Sequence, residues 1–327
     1  MSSILFLNGL PNVSNNLFFL KGDQLTIRYN GSSNVGSLLK TQTVEKLFAV
    51  VGFNESEVFS QYGEKIDCVF NEISDVDSHS ESLKNAESIL DSINVPIINH
   101  PKYIMQTSRD KIYEKLFSLD ESLIVPKTIL VSPGVNTLSE QIANAKMQFP
   151  LILRECGSHG GIDTLLIQDA IELTKLPDAL LLEKQLYVTE FHEYKDESNL
   201  YTKSRLVVID GEVYIRHWIH SKNWLVHARN RRREYDLLEK KKILSFDTTI
   251  KDKLKPLVAK IYDLVKLDYF GIDCHIDKNF NILLFELNAT MNIFTSSGGA
   301  EHLAVSKLNE AVNRMIHRKI AANVCNK

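Results

Sequence analysis

Near the C-terminal third, DYFGIDCHIDKNFNILLFELNAT (268–290) places Glu286 thirteen residues after Asp273, with Asn288 two further on. Two carboxylates and an amide oxygen are hard ligands of the kind Mg²⁺ accepts, an ion that shares its coordination with water and substrate phosphates. The surrounding residues read as two strands, YFGIDCHID and FNILLFELN, joined at Lys278-Asn279. With a two-residue turn there, Asp277 opposes Phe280, Asp273 opposes Leu284 and Gly271 opposes Glu286. Side chains alternate faces and opposed residues share one, so Asp273, Glu286 and Asn288 point to the same side. Asp273 and Glu286 are then diagonal neighbours, about 7–8 Å apart, and Gly271 leaves room opposite Glu286. A different turn would send the two acids to opposite faces. Set among Ile272, Ile282, Leu283 and Phe285, this charge costs desolvation unless a cation is present. A strand end bearing solvated acids would show the same spacing.

The rest of the composition narrows the classes. The chain has 327 residues, 44 % hydrophobic and 24 % charged, with a formal net charge of −3. That suits two or three modest cores in a soluble globular protein. It gives no electrostatic reason to expect nucleic acid or an anionic membrane as partner. The start, MSSILFLNGLPN, reads as a first strand rather than a signal peptide, and no apolar run is long enough to cross a bilayer. The four cysteines, Cys68, Cys156, Cys274 and Cys325, form no CxxC pair. They suit a reducing compartment, so a cytoplasmic protein is expected.

These residues need elements to hold them. ILFLN (4–8), DCVFNEI (67–73) and VPIIN (95–99) read as buried strands of a βαβ arrangement. Between the last two, HSESLKNAESILDSI puts Leu83, Ala86, Leu90 and Ile93 on one helical face, with Asp77 or Ser78 as cap and Asn94 as a stop. No G-x-G-x-x-G follows the first strand. NHPKYIMQTSRDKIYEKLF (99–117) runs from a turn into a short helix capped by Ser108. After the extended IVPKTILVS, Thr137 and Glu140 form a capping box opening a helix to about Met147. FPLILRECGSHGGIDTLLI (149–167) reads as strand, glycine-containing loop, strand. RLVVI (205–209), an Asp-Gly turn and EVYIRHWI (212–219) predict a hairpin. Ile250, Leu254, Leu257, Ile261 and Leu264 mark a helix over 247–267 that Pro256 can kink. The charged run RNRRREYDLLEKKK (229–242) is either a solvated segment or a mobile basic cover over an anionic ligand.

In this order, SRDKIYEKL, FPLILRECGSHGG and GIDCHID…LLFELNAT resemble the ATP-grasp superfamily over most of the chain. That superfamily includes D-alanine–D-alanine ligase, glutathione synthetase and ligases that add glutamate to protein ends. CVFNEISDVD, NVPIINHP, FPLILR, VVIDGEVY and NWLVH look most like a branch often fused to tetratricopeptide repeats, which this sequence does not contain. The resemblance implies an α/β (α+β) ATP-grasp fold with three units. These are an N-terminal pre-ATP-grasp α/β domain (1–107), a small central domain (108–185) and a C-terminal antiparallel-sheet domain with the metal site (186–327). ATP would lie between the last two.

Residue by residue, the resemblance gives Asp273, Glu286 and Asn288 to Mg²⁺. Lys111 matches the first phosphate-contacting lysine, and Arg154 stands where many members have a second lysine. An arginine there offers a planar fork in place of a point charge. Gly157, Ser158, His159 and Gly160 would form the loop over the phosphates. Glu190, Phe191 and His192 resemble the adenine hinge, with Glu193 or Asp196 as ribose acid; an alternative hinge uses Glu183. Arg205 and Arg216, alternating with apolar residues on successive strands, would reach the triphosphate or the transferred group. Trp224 and His227 fall near the expected acceptor pocket.

The implied reaction joins a small-molecule or peptide carboxylate to an amine, with ATP and Mg²⁺, through an acyl phosphate. A kinase acting on a hydroxyl and a non-catalytic ATP-binding regulator are the rivals. A homodimer is common among relatives.

Overall fold

The computed structural model describes residues 2–12, 18–21, 24–27, 33–132, 137–158, 161, 164–176, 185–289, 291–295 and 300–325. At the N-terminus, β1 (Ser2–Gly9) lies at the centre of a parallel sheet. A separate antiparallel hairpin, β2 (Phe18–Lys21) and β3 (Gln24–Ile27), follows. The sheet is completed by β4 (Val44–Val51), β5 (Ile66–Asn71) and β6 (Ile97–Ile98), in the order β4-β1-β5-β6. The helix Ser80–Leu90 covers it with Leu83, Ala86 and Leu90, as the spacing predicts. Its cap position is His79 rather than Asp77 or Ser78, and the helix stops before Asn94.

A second, antiparallel sheet has the order β10-β9-β11-β8, and a third has β13-β12-β14-β15-β7. Their strands in chain order are β7 (Leu123–Ile124), β8 (Thr128–Val131), β9 (Leu151–Glu155), β10 (Leu165–Ile167), β11 (Leu186–Glu190), β12 (Tyr201–Ile209), β13 (Glu212–Ser221), β14 (Tyr269–Ile276) and β15 (Ile282–Asn288). Sheet membership runs across the expected limits of the units. β7 belongs to the C-terminal sheet and β11, beyond residue 185, to the central one.

The cores divide differently from the sheets. One cluster joins Leu83 and Ile112 to Leu254, Ile261 and Phe270, and a second joins Phe6 and Phe70 to Tyr269, Leu308 and Met315. The first and third sheets are therefore sewn together by shared apolar burial. Asn99 adds a polar clamp, donating to the carbonyls of Tyr269 and Ala289 and accepting from the Tyr269 N–H. The central unit has its own core, including Val131, Leu151, Leu153 and Val188. Its helix Leu138–Asn144 opens with the expected capping box of Thr137 and Glu140.

The long helical arm of the C-terminal unit combines Asp236–Ser245, a π-helical turn at Phe246–Ile250 and Lys251–Val265, which tolerates Pro256. Leu254, Leu257 and Ile261 are buried as expected, whereas Leu264 is exposed. Ala300–Cys325 closes the fold. Among the described residues, no helix is long and apolar enough to cross a membrane.

Candidate active site

The β14–β15 hairpin carries the acids, and its register differs from the two-residue expectation. Asp277 bonds across to Asn281, so the loop is Lys278-Asn279-Phe280, with Phe280 in the left-handed region at φ 66°. The Asp277 carboxylate accepts from the N–H groups of Asn279 and Asn281, which fixes this longer turn. That slip alone would put Phe285, not Glu286, opposite Asp273. A bulge between Cys274 and Asp273 absorbs one more residue and brings Asp273 directly opposite Glu286, with Gly271 opposite Asn288. The acids are thus opposed rather than diagonal. Gly271 makes room for Met291, not for Glu286: a Cβ there would collide with Met291 Sδ.

On the next strand Arg205 opposes Asp273, and beyond it His217 opposes Arg205. A row of His217, Arg205, Asp273 and Glu286 therefore crosses four strands on one face. Arg205 grips Asp273 with two hydrogen bonds of 2.7 and 2.8 Å, and Lys203 Nζ lies 2.7 Å from the same carboxylate. Asp273 is fully buried. Burial would raise its pKa, but Arg205 and Lys203 outweigh it and hold the carboxyl well below the usual range. Glu286 is likewise pushed up by burial and brought down further by Arg109 and Arg154. Arg109 Nη2 is 2.8 Å from Glu286 Oε1.

This face forms the floor of a cleft of about 680 Å³ between the central and C-terminal sheets. Its opposite wall is the central sheet, where Arg154 on β9 opposes Tyr187 on β11. Arg154 donates to Ser158 Oγ at 3.1 Å and to the Ser158 carbonyl, tying itself to the start of the glycine loop. Burial, then repulsion from Arg109, brings its pKa down to about 10. The N-terminal unit reaches in too. Asp77 accepts from Tyr187 Oη at 2.6 Å and from the Gly157 N–H at 3.2 Å, where Gly157 has φ 74°. At the far end, Phe191 stands edge-on to Trp224 with centroids 5.8 Å apart, beside Tyr194, Val226, Leu283 and Phe285.

The cleft thus gathers Arg154, Gly157, Glu190, Phe191, His192, Arg205, Asp273, Glu286 and Asn288, with Trp224 and His227; Ser158 lines the adjoining recess. His159 and Gly160, and the alternative Glu183, lie outside the described residues. Glu190 borders the cleft, yet its carboxylate accepts from the Gln148 N–H. Glu193 is exposed and takes the Tyr201 hydroxyl.

Two expected residues turn away. Lys111 Nζ donates to the Met105 carbonyl and does not border the cleft, because it lies about 200° round its helix from Arg109. Arg216 is the extra residue of a second bulge, between the pairs Arg205–His217 and Leu206–Ile215. It is buried against the carbonyls of Ile293 and Thr295 and the carboxylate of Glu301, bracing the C-terminal helix. The basic run 229–242 does not line the cleft either. Arg231 pairs with Glu239 and Glu301, and Lys242 lies 5.0 Å above the Trp218 ring.

Arg109, Lys203 and Tyr187 were not singled out by sequence reasoning, and Asp77 was expected only as a helix cap. Lys203 had a signal, since it alternates with Arg205 along one strand. Asp77 had none, because only the packing of the first unit against the second brings it here.

The mixed α/β architecture, with a cleft between two of its sheets, is that of the ATP-grasp fold. D-alanine–D-alanine ligase from Bacillus anthracis matches it with a TM-score of 0.60 at 12 % identity, covering 100 % of both chains. A RimK domain ATP-grasp protein from Sphaerobacter thermophilus DSM 20745 matches at TM-score 0.54 and 11 % identity, over 98 % of this chain and 100 % of that one. Carboxyaminoimidazole ribonucleotide synthase from Aspergillus clavatus complexed with ATP matches at 0.53 and 14 %, over 95 % and 78 %. The RimK-like ATP-grasp domain family matches residues 108–302, more than half of the chain, and the chain belongs to that family. No curated protein matches it.

Proposed function

We propose that this chain is an ATP-dependent carboxylate–amine ligase that works through an acyl phosphate. The observation that carries the reading is the cleft floor, where Arg109, Lys203 and Arg205, with Arg154 above, surround the carboxylates of Asp273 and Glu286. The cleft lining holds these four cations and four acids, Asp75, Glu190, Asp273 and Glu286, so the cations gathered at the floor can meet phosphate oxygens where Mg²⁺ would offset the two opposed acids, as phosphoryl transfer needs.

In this reading the Phe191–Trp224–Tyr194 wall receives the adenine, and the Gly157–Ser158 turn covers the phosphates. Asp273, Glu286 and Asn288 fit Mg²⁺ as a donor set: hard oxygens, on one face, with the two acids directly opposed. When bound, the ion would supply charge neutralisation for the phosphates. Lys203 and Arg205, which hold Asp273 here, would then be free to meet the transferred group. A carboxylate oxygen of the substrate bonds to the γ-phosphorus as its bond to ADP breaks. The amine nitrogen then bonds to the acyl carbon, and phosphate leaves with one oxygen of the original carboxylate and the proton that the amine gives up. Closing the cleft keeps water from the intermediate. We place the protein in the cytoplasm, consistent with the free thiols of Cys68, Cys156 and Cys274.

The test is turnover of Mg²⁺-ATP by purified protein against pooled amino acids and short peptides. The ligase reading expects ADP and free phosphate that appear only with a carboxylate and an amine together. A phosphorylated product with no free phosphate would replace it with a kinase.

A further inference from the structure

We propose that Arg109, and not Lys111, is the cation that the helix Arg109–Leu116 delivers to the ATP phosphates, an assignment that rests on reading the cleft as an ATP site. Arg109 shares the inward stripe of that helix with Ile112 and Leu116, both buried, at the i, i+3, i+7 spacing. Its guanidinium is fixed in the cleft by Glu286 Oε1 at 2.8 Å and by the Phe285 carbonyl at 3.0 Å. Its side chain is 20 % exposed, so an incoming ligand can reach it.

The two basic residues live in separate charge neighbourhoods. Arg109 and Arg154 line the same cleft, and Glu286, which Arg109 holds at 2.8 Å, lines it with them. Two guanidinium groups facing one cleft from opposite walls make a place for an anion, and each has a planar fork suited to phosphate oxygens. Lys111 instead bonds to the Met105 carbonyl. Its electrostatic effect falls on Lys115, whose pKa is lowered by burial and then by Lys111 and Lys266. To reach the phosphates, Lys111 would have to leave that side of the helix.

The experiment is calorimetric binding of Mg²⁺-ATP and of AMP to the full-length wild type and to Arg109→Gln, Arg109→Lys and Lys111→Gln, each checked for folding by thermal melting. Arg109→Gln is expected to weaken ATP binding about tenfold or more, as loss of charge-assisted hydrogen bonds would, while AMP binding stays within about twofold. Lys111→Gln is expected to stay within about twofold for both ligands. If Arg109→Gln does not fold, Arg109→Lys serves in its place, and loss of ATP but not AMP affinity supports the assignment. A tenfold loss in Lys111→Gln beside an Arg109 variant of wild-type affinity would overturn it. Equal losses for ATP and AMP in the Arg109 variants would overturn it too, because they would mark a structural role. A wild type that binds no Mg²⁺-ATP would instead overturn the ATP-site reading underneath.

Discussion

Asp273 is buried with three cationic hydrogen-bond contacts from Lys203 and Arg205, so its charge is compensated before any ligand arrives. Removing one partner of such a pair costs far more than the pair itself contributes. Glu286 is the more accessible of the two acids, with its side chain 27 % exposed. Glu286→Gln is therefore expected to fold and to lose on the order of a hundredfold in turnover, measured as ligand-dependent ADP release. Retained turnover in a folded variant would remove this residue from the proposed metal site. The triad of Asp273, Glu286 and Asn288 was legible in the sequence because strand side chains alternate with period two. The register behind it was not. A longer turn and a bulge each shift the pairing by one residue, and the two shifts together restore the shared face. At Arg216 the same kind of bulge was equally hidden and moved the side chain out of the site.

Elements with a local chemical signature were readable. The Thr137–Glu140 capping box formed as written, and Asp210-Gly211, with φ 56° and 82°, turned the β12–β13 hairpin. Gly52, at φ 79°, marks the end of strand β4, VEKLFAVV, but the strand itself depends on pairing with β1. At this scale Gly271 gives a direct check. Its missing Cβ is the space that Met291 fills, so Gly271→Ala forces a packed side chain to move and is expected to cost about 1–3 kcal/mol. The double variant Gly271→Ala with Met291→Ala should recover part of that loss, because the two residues contend for one volume. Denaturant unfolding of the four proteins measures it. Simple additivity would show that the contact does not govern the cost.

Across the whole molecule, the joining of the first and third sheets through common cores, and the separate core of the central unit, could not be read from periodicity. Each strand shows that it has a buried face, and none shows which face of which sheet it meets. The same limit hid the approach of Asp77 to Gly157. Folding of the first sheet leaves Glu72 almost wholly buried, accepting from Asn8, Ser33 and the Gly36 N–H. Burial outweighs those bonds and pushes its pKa up from 4.5 to about 7. Between those two values the folded form binds a proton that the unfolded chain has lost. Stability is therefore expected to fall as pH rises from about 5 to 8, by about 1–3 kcal/mol from this group. Glu72→Gln should flatten that slope in melting curves taken across the interval; an unchanged slope would assign it to other groups.

The fate of one oxygen atom separates acyl-phosphate chemistry from its rivals. The measurement is turnover of Mg²⁺-ATP with an amine and a carboxylate pool labelled with heavy oxygen, followed by mass analysis of the phosphate released. Acyl-phosphate chemistry is expected to put one labelled oxygen in inorganic phosphate for each amide formed. Amide formation with unlabelled phosphate, or label retained in a phosphorylated product, would contradict it.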